Sequence, residues 1–225
     1  MHLVLFDVDG TLVDSQAMIV AAMSAAFAAH GRVAPPRERV LSIVGLSLET
    51  AMRALLPEEP HELAGPLADA YKAAFQQLRA SPEHHEPLFE GALDVLDALG
   101  ARDDLILGLA TGKSQRGVRA VLDLHDLHGR FVTIQTADTN PSKPHPGMIQ
   151  AAAAEAGVLP QQVIMIGDTT YDMEMAGAAG AHGVGVRWGY HEAAALQAAG
   201  ATVLLDRFDE LPGALERILV EKESA

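Results

Sequence analysis

Hydrophobic and polar positions divide the chain into two textures. Residues 2–6 are a short apolar run that ends in Asp7-Val8-Asp9-Gly10-Thr11, which predicts a buried strand feeding a polar turn. From 15 to about 79 strand-like runs disappear. Ala, Met, Leu and Glu dominate there, and Pro35, Pro36, Pro57, Pro60 and Pro66 punctuate the stretch, predicting several helices joined by loops. Within it, residues 17–29 are apolar except for Ser24; this run is too short to cross a bilayer and predicts a buried helix. Residues 81–87, with Pro82, His84, His85 and Pro87, read as a polar linker. Beyond Pro87 short apolar runs alternate with helical patterns. Strands are expected over 105–110, 131–135, 163–166, 183–186 and 203–205, and helices over 93–99, 114–124, 148–156, 173–179 and 212–220. Such alternation predicts an α/β fold: a parallel sheet with helices on both faces. The helical stretch then becomes an insertion after the first strand. Residues 1–14 and 87–225 would form the sheet core, and 15–86 an α-helical cap with its hinges.

Composition narrows the chemistry. The chain has 225 residues with 49% hydrophobic and 20% charged, a globular balance. It has no Cys, which excludes a disulfide framework, thiolate-held zinc, iron–sulfur clusters and a thiol nucleophile. Asp and Glu number 30 against 16 Lys and Arg, a net charge of −14, so nucleic-acid phosphates would be repelled. Any anion site has to be built locally, with a metal ion. The N-terminus meets Asp7 with no basic residue before it, unlike a signal peptide, and Pro141 blocks glycosylation at Asn140. The expectation is a cytoplasmic protein, a monomer or homodimer, with no membrane or nucleic-acid partner.

Polar residues that follow strands gather at one edge of a parallel sheet, where ligands bind. They are Asp7 and Asp9 after the first strand, Thr111 and Gly112 after the second, Lys143 after the third, and Asp168 and Asp172 after the fourth. Carboxylates packed together need a cation, and oxygen ligands without Cys favour Mg²⁺. A metal with Lys143 would neutralise a phosphoryl group as charge builds. Asp7 and Asp9 suit a carboxylate nucleophile with a neighbouring proton donor and acceptor. Gly10 and Gly112 permit tight turns whose N–H groups can approach phosphate oxygens.

Asp7-Val8-Asp9-Gly10-Thr11-Leu12-Val13-Asp14-Ser15 resembles the first motif of the haloacid dehalogenase superfamily. Thr111-Gly112 resembles the second, Ser142-Lys143-Pro144-His145-Pro146 the third, and Gly167-Asp168-Thr169-Thr170-Tyr171-Asp172 the fourth. The order and spacing cover almost the whole chain, and the branch most resembled is the phosphoglycolate phosphatase-like group. The resemblance implies a Rossmann-like core with a helical cap and a Mg²⁺-dependent phosphatase of a small phosphorylated metabolite, such as phosphoglycolate or a sugar phosphate. It implies that Asp7 forms an aspartyl-phosphate and that Asp9 protonates the leaving alkoxide, then activates water. It further implies that Thr111 and the Gly112 N–H hold phosphate oxygens, that Lys143 stabilises charge, and that Asp7, the Asp9 main-chain carbonyl, Asp168 and Asp172 serve the metal.

Other readings compete. Dehalogenases and phosphonatases of the superfamily lack the second acid, present here as Asp9; the cap's one lysine, Lys72, falls well inside a helical stretch. A phosphomutase of the β-phosphoglucomutase type keeps both acids but carries a basic cap loop, whereas Val44-Gly45-Leu46-Ser47 has no Lys or Arg. A non-catalytic phosphate-binding regulatory protein would lack one of the acting residues. A signalling receiver would need about half this length. Residues 108–114 fall one residue short of a P-loop, which leaves Lys113 as either a substrate contact or a solvated lysine. An EF-hand fails because Gly10 stands at the wrong loop position. His84-His85 read as solvated, and His145, between two prolines, could face the site; the Arg32, Arg37 and Arg39 group could steer an anion but reads first as a solvated face; Trp188 and Tyr190 read as core packing or cleft rim.

Overall fold

The computed structural model describes residues 1–58, 61–81 and 85–223. Pro60 and the linker residues Pro82, Glu83 and His84 lie outside the described residues. Six strands form one sheet: β1 (His2–Phe6), β2 (Leu105–Thr111), β3 (Thr133–Thr136), β4 (Val163–Gly167), β5 (His182–Val186) and β6 (Val203–Leu205). Their order is β3-β2-β1-β4-β5-β6, with every pairing parallel. This is the expected Rossmann-like α/β fold. The chain works outward from β1 through β3, then returns to the other side of β1, so the order reverses between β1 and β4. In doubly wound sheets the crevice at that reversal is where ligands bind.

Side-chain alternation explains how the sheet is covered on both faces. Val4 and Phe6 of β1, with Ile164 and Ile166 of β4, face one cluster; Leu3 and Leu5, with Val163 and Met165, face the other. Helices α1 (Gln16–Ala29), α2 (Arg37–Leu41), α3 (Leu48–Leu55) and α4 (Ala64–Arg79) come first in the chain. They are followed by α5 (Ala92–Gly100), α6 (Gln115–His125), α7 (Gly147–Ala156), α8 (Thr170–Ala179), α9 (Ala193–Ala198) and α10 (Leu211–Glu223). The first face is covered by α5, α6 and α10 through residues such as Leu96, Val121 and Leu215; the second by α7 and α8 through Ile149, Ala152 and Met175. Strands buried on both faces must be apolar throughout, which is why they read as continuous runs. Each such buried Leu, Ile or Phe contributes roughly 1.5–3 kcal/mol.

The inserted helices have a core of their own, in which Met18, Met23 and Phe27 of α1 meet Met52 of α3 and Leu67 and Phe75 of α4. Although α1 is apolar almost throughout, its buried positions, Met18, Ile19, Ala22, Met23, Ala26 and Phe27, form one face. Alanines elsewhere on it cost little when exposed. Among the described residues, no helix is long and apolar enough to cross a membrane. The two chain crossings lie side by side: the Asp14 N–H donates to the Pro87 carbonyl (2.8 Å) and the Phe89 N–H to the Leu12 carbonyl (2.9 Å).

Beyond shifts at element ends, two details stand apart from the sequence reading. Helix α9 lies where no helix is expected; it is short and Ala-rich, with only Leu196 buried, so it has no apolar period. β3 starts at Thr133 rather than 131, because Val132 at the sheet edge is 69% exposed and leads in from outside the strand.

Candidate active site

Register sets the depth of each site residue. Phe6 lies level with Leu109 of β2 and Ile166 of β4. Asp7 therefore emerges one residue past the shared level, and Thr111 and Asp168 two residues past it. Lys143 reaches the same edge from the loop after β3, and Asp172 from the first turn of α8. Asp7, Thr111, Lys143, Asp168 and Asp172 are all buried.

Lys143 is the centre of charge. Its ammonium lies 2.9 Å from Asp7 Oδ2 and 2.5 Å from Asp172 Oδ1, with no side-chain exposure at all. Burial works against the ammonium, but the Asp172 and Asp7 carboxylates outweigh it and hold its pKa above the ordinary lysine value. Asp172 Oδ2 accepts from the Thr169 hydroxyl (2.7 Å) and N–H (3.1 Å), so the acid is locked into the cap of its own helix. Asp168 accepts from the Thr11 hydroxyl (2.9 Å) and the Tyr190 N–H (2.9 Å). Asp7 Oδ1 accepts the Val8 N–H at 2.6 Å, while Oδ2, an ion-pair partner of Lys143, accepts no hydrogen bond.

Carboxylate oxygens of Asp7, Asp168 and Asp172 come within 4.8 Å of one another. Three buried acids thus face one ammonium. The imbalance appears in their acidity: burial pushes Asp7 up to about 6 against the pull of Lys143, with Asp172 adding to the rise. Burial, then Asp172 and Asp7, pushes Asp168 well above the carboxylate range. An all-oxygen donor set short of positive charge fits a hard divalent cation.

Asp9 faces the other way. Its Oδ1 accepts from the Ser15 hydroxyl (2.6 Å) and its two oxygens lie 2.7 and 2.9 Å from Lys113 Nζ. Its side chain does not join the Asp7–Asp168–Asp172 group. Lys113 is also 3.6 Å from Glu86 Oε1, and Glu86 Oε2 accepts from Arg79 Nε at 2.6 Å. An ionic chain therefore runs from Asp9 to the C-terminal end of α4. Asp7, Asp9, Thr111, Gly112 and Lys113 form the floor of a cavity of about 580 Å³, and α1, the loop before α3, and α4 form its far wall.

Gly10 departs from expectation. Its N–H donates to the Val13 carbonyl at 2.9 Å, so it does not present that donor to a phosphate. Its φ of +85° and the Asp168 carboxylate against its Cα explain the glycine: a side chain there would strike Asp168 and the Tyr190 ring. Gly112 has a related constraint, since a Cβ would come 2.5 Å from the Gly45 carbonyl oxygen and 2.6 Å from that of Leu46. Sequence reasoning leaves Lys113 undecided, and it passes over Glu86, Ser15 and Thr169. Trp188 packs on Phe208 and donates to the Thr11 carbonyl (3.0 Å), a core role, while Tyr190 reaches Ser15 with its hydroxyl (3.2 Å). His145 is exposed and accepts from the Gly147 N–H. Arg37 and Arg39 are exposed on the inserted helices, bonded to Gln16 and to the Ala54 carbonyl.

A doubly wound parallel sheet with acids and a buried lysine at its switch point defines an α/β protein that works at the carboxyl ends of its strands. The model of the haloacid dehalogenase-like hydrolase family matches residues 4–186. Probable phosphatase IndB of Dickeya dadantii is 34% identical over 221 residues, covering 96% of this chain and 94% of that protein. The phosphoglycolate phosphatase of Escherichia coli K12 is 32% identical over 231 residues, covering 94% and 91%. A solved hydrolase from Pseudomonas syringae superposes with a TM-score of 0.86 at 28% identity, covering 97% of this chain and 99% of that one. The chain belongs to the haloacid dehalogenase-like hydrolases, in agreement with its four motifs.

Proposed function

We propose that this chain is a Mg²⁺-dependent phosphatase of a small phosphorylated metabolite, working through an aspartyl-phosphate on Asp7 with residues 15–86 as its cap. The observation that carries this reading is the pairing of Asp7 and Asp9 on one cavity floor, with a fully buried ammonium, Lys143, 2.9 Å from Asp7. The names of the relatives at 34% and 32% identity support phosphoester chemistry. The reading carries with it the cytoplasmic setting expected from the sequence.

In the first half-reaction an Asp7 oxygen bonds to phosphorus as the ester P–O bond breaks, and Asp9 gives its proton to the departing alkoxide. In the second, Asp9 takes a proton from water, the water oxygen bonds to phosphorus, and the P–O bond to Asp7 breaks. Phosphate leaves and both acids are restored. Lys143 offsets charge at Asp7 in both halves, while Thr111 and Gly112 hold phosphoryl oxygens. Asp7, Asp168, Asp172 and the Asp9 carbonyl would hold Mg²⁺, which would supply positive charge to the phosphoryl group. Lys113 and Ser15 fix the direction of the Asp9 carboxylate. The loop of Val44, Gly45 and Leu46, which fronts the cavity, brings no cation to it, which favours hydrolysis over a mutase reaction.

The test is phosphate release, with and without Mg²⁺, across a panel of phosphomonoesters, with Asp7→Asn alongside. Mg²⁺-dependent release that the variant lacks, at an unchanged melting temperature, is expected. Normal turnover by Asp7→Asn would sink the nucleophile assignment.

A further inference from the structure

The cavity says more about the leaving group than the phosphoryl machinery does, although any inference about that group rests on the phosphatase reading. The space is about 580 Å³. At about 30 Å³ per water it is the room of roughly nineteen waters, well beyond the needs of a two-carbon acid. It exists with the helices docked on the core. The Ser47 N–H donates to Ser142 Oγ at 2.8 Å, the Tyr171 hydroxyl donates to the Ser42 carbonyl at 3.0 Å, and the Gly45–Leu46 carbonyls press on Gly112. The cavity therefore exists with the inserted helices seated on the core, and it opens to solvent on one side.

Glu49, Gln76, Ser114 and Asp138 line part of the cavity, but the wall facing Asp7 and Asp9 is largely apolar: Ile19, Met23, Ile43, Leu46, Phe75 and the Tyr71 ring. A sugar buried against it would leave hydroxyls without partners, an arrangement that costs affinity. A second acid on the substrate fares no better. Lys113 is paired with both oxygens of Asp9, and Arg79 with Glu86, so two cations are matched by two carboxylates. Lys72 is paired with Asp69, and Arg116 stands at an exposed position on α6. Arg79 Nη2 is itself buried away from the cavity and has no hydrogen-bond partner. Phe75 lies beneath that guanidinium, 5.0 Å from its carbon, and 5.1 Å from the Lys113 ammonium.

We propose that the site takes phosphate esters of an uncharged, largely apolar alcohol, aromatic or branched. Polyol phosphates and phosphorylated short acids are the poorer substrates. The apolar body gains by leaving water against Ile19, Met23, Ile43 and Leu46, while the phosphoryl group reaches Asp7 on the floor.

The experiment compares kcat/KM for 2-phenylethyl phosphate, glucose 6-phosphate and phosphoglycolate. The first has an alkanol leaving group no more activated than a sugar's, so a preference reports the cavity and not bond strength. Calorimetric binding of the same three to Asp7→Asn gives a second measure that needs no turnover. The expected result is an advantage of tenfold or more for 2-phenylethyl phosphate in both. In Leu46→Ser, a partly buried loop position, that ratio should narrow at least threefold while the melting temperature holds. Release from glucose 6-phosphate or phosphoglycolate at an equal or higher kcat/KM overturns the inference and leaves the phosphatase standing. Release from none of the three, with none bound by Asp7→Asn, overturns both.

Discussion

Withdrawal of divalent cations by a chelator should destabilise this fold more near pH 7.5 than near pH 5. The cause is the imbalance at the floor of the site, where Asp7, Asp168 and Asp172 face Lys143 alone. Burial, opposed by Lys143 and reinforced by Asp172, holds the Asp7 carboxyl at about 6 in the folded chain, against an ordinary 3.8. Between those two values the folded state keeps a proton that the unfolded state releases. A raised carboxyl therefore favours folding at low pH, and its contribution is lost as pH climbs from about 4 through 6. At about 1.4 kcal/mol for each tenfold change in acidity, the loss at Asp7 is about 3 kcal/mol. That is a large part of a total stability of ~5–15 kcal/mol. Asp168, raised for the same reason, acts in the same direction.

A bound Mg²⁺ would reverse this by supplying the missing positive charge, but below pH 6 it would first have to displace the proton. The ionised fraction of Asp7 falls about tenfold between pH 7 and pH 5, and Mg²⁺ affinity should fall with it. The assay is urea unfolding followed by Trp188, the chain's one tryptophan, which packs against Phe208 and bonds to the Thr11 carbonyl beside the site. Curves are taken in chelator and in saturating Mg²⁺ at both pH values. The stabilisation by Mg²⁺ should be largest near pH 7.5 and small near pH 5. An equal increment at both, or a larger one near pH 5, would refute the charge argument.

Lys143→Met removes the only ammonium among these acids and should cost about 3–5 kcal/mol near neutral pH, less near pH 5; urea midpoints at the two pH values measure it, and equal losses count against the reasoning. Asp168→Ala should raise the Mg²⁺ midpoint for activity about 10–100-fold and lower turnover with it, since it also strips the acceptor from Thr11 and the Tyr190 N–H; an unchanged metal titration would move the metal elsewhere. Gly112→Ala places a methyl 2.5 Å from the Gly45 carbonyl oxygen, so the loop before α3 must move. A fall in kcat/KM of about tenfold or more, with the circular dichroism intact, is expected, and unaltered kinetics would show that this contact does not matter.

Legibility in the sequence depends on how local each feature is. The strands β1, β2, β4 and β5 can be read because a strand covered on both faces must be apolar at every position, and each ends at a polar residue. Asp7, Thr111, Lys143 and Asp168 can be placed together because parallel strands put all their carboxyl ends on one edge. The tight turn at Gly10 is legible from sequence, but the partner of its N–H is not: the Val13 carbonyl takes it only once the turn has closed. The chain of Lys113, Glu86 and Arg79 leaves no trace, since three segments must pack before any of these charges has a partner.

The cavity wall is hidden for a deeper reason. Ile19, Met23 and Phe75 hold the inserted helices together and front the cavity at once. Helical periodicity accounts for every one of them as packing, so no residue is left over to announce a substrate. The two roles are separated only by a volume that the packed helices leave unfilled above Asp7 and Asp9. Polar chemistry can be read from sequence because an acid in a strand-end turn needs a reason. Apolar recognition cannot, because a buried methionine always has one. For enzymes of this architecture, then, the reaction is legible earlier than the substrate, and the leaving group has to be read from the shape and charge balance of the cavity beneath the inserted helices.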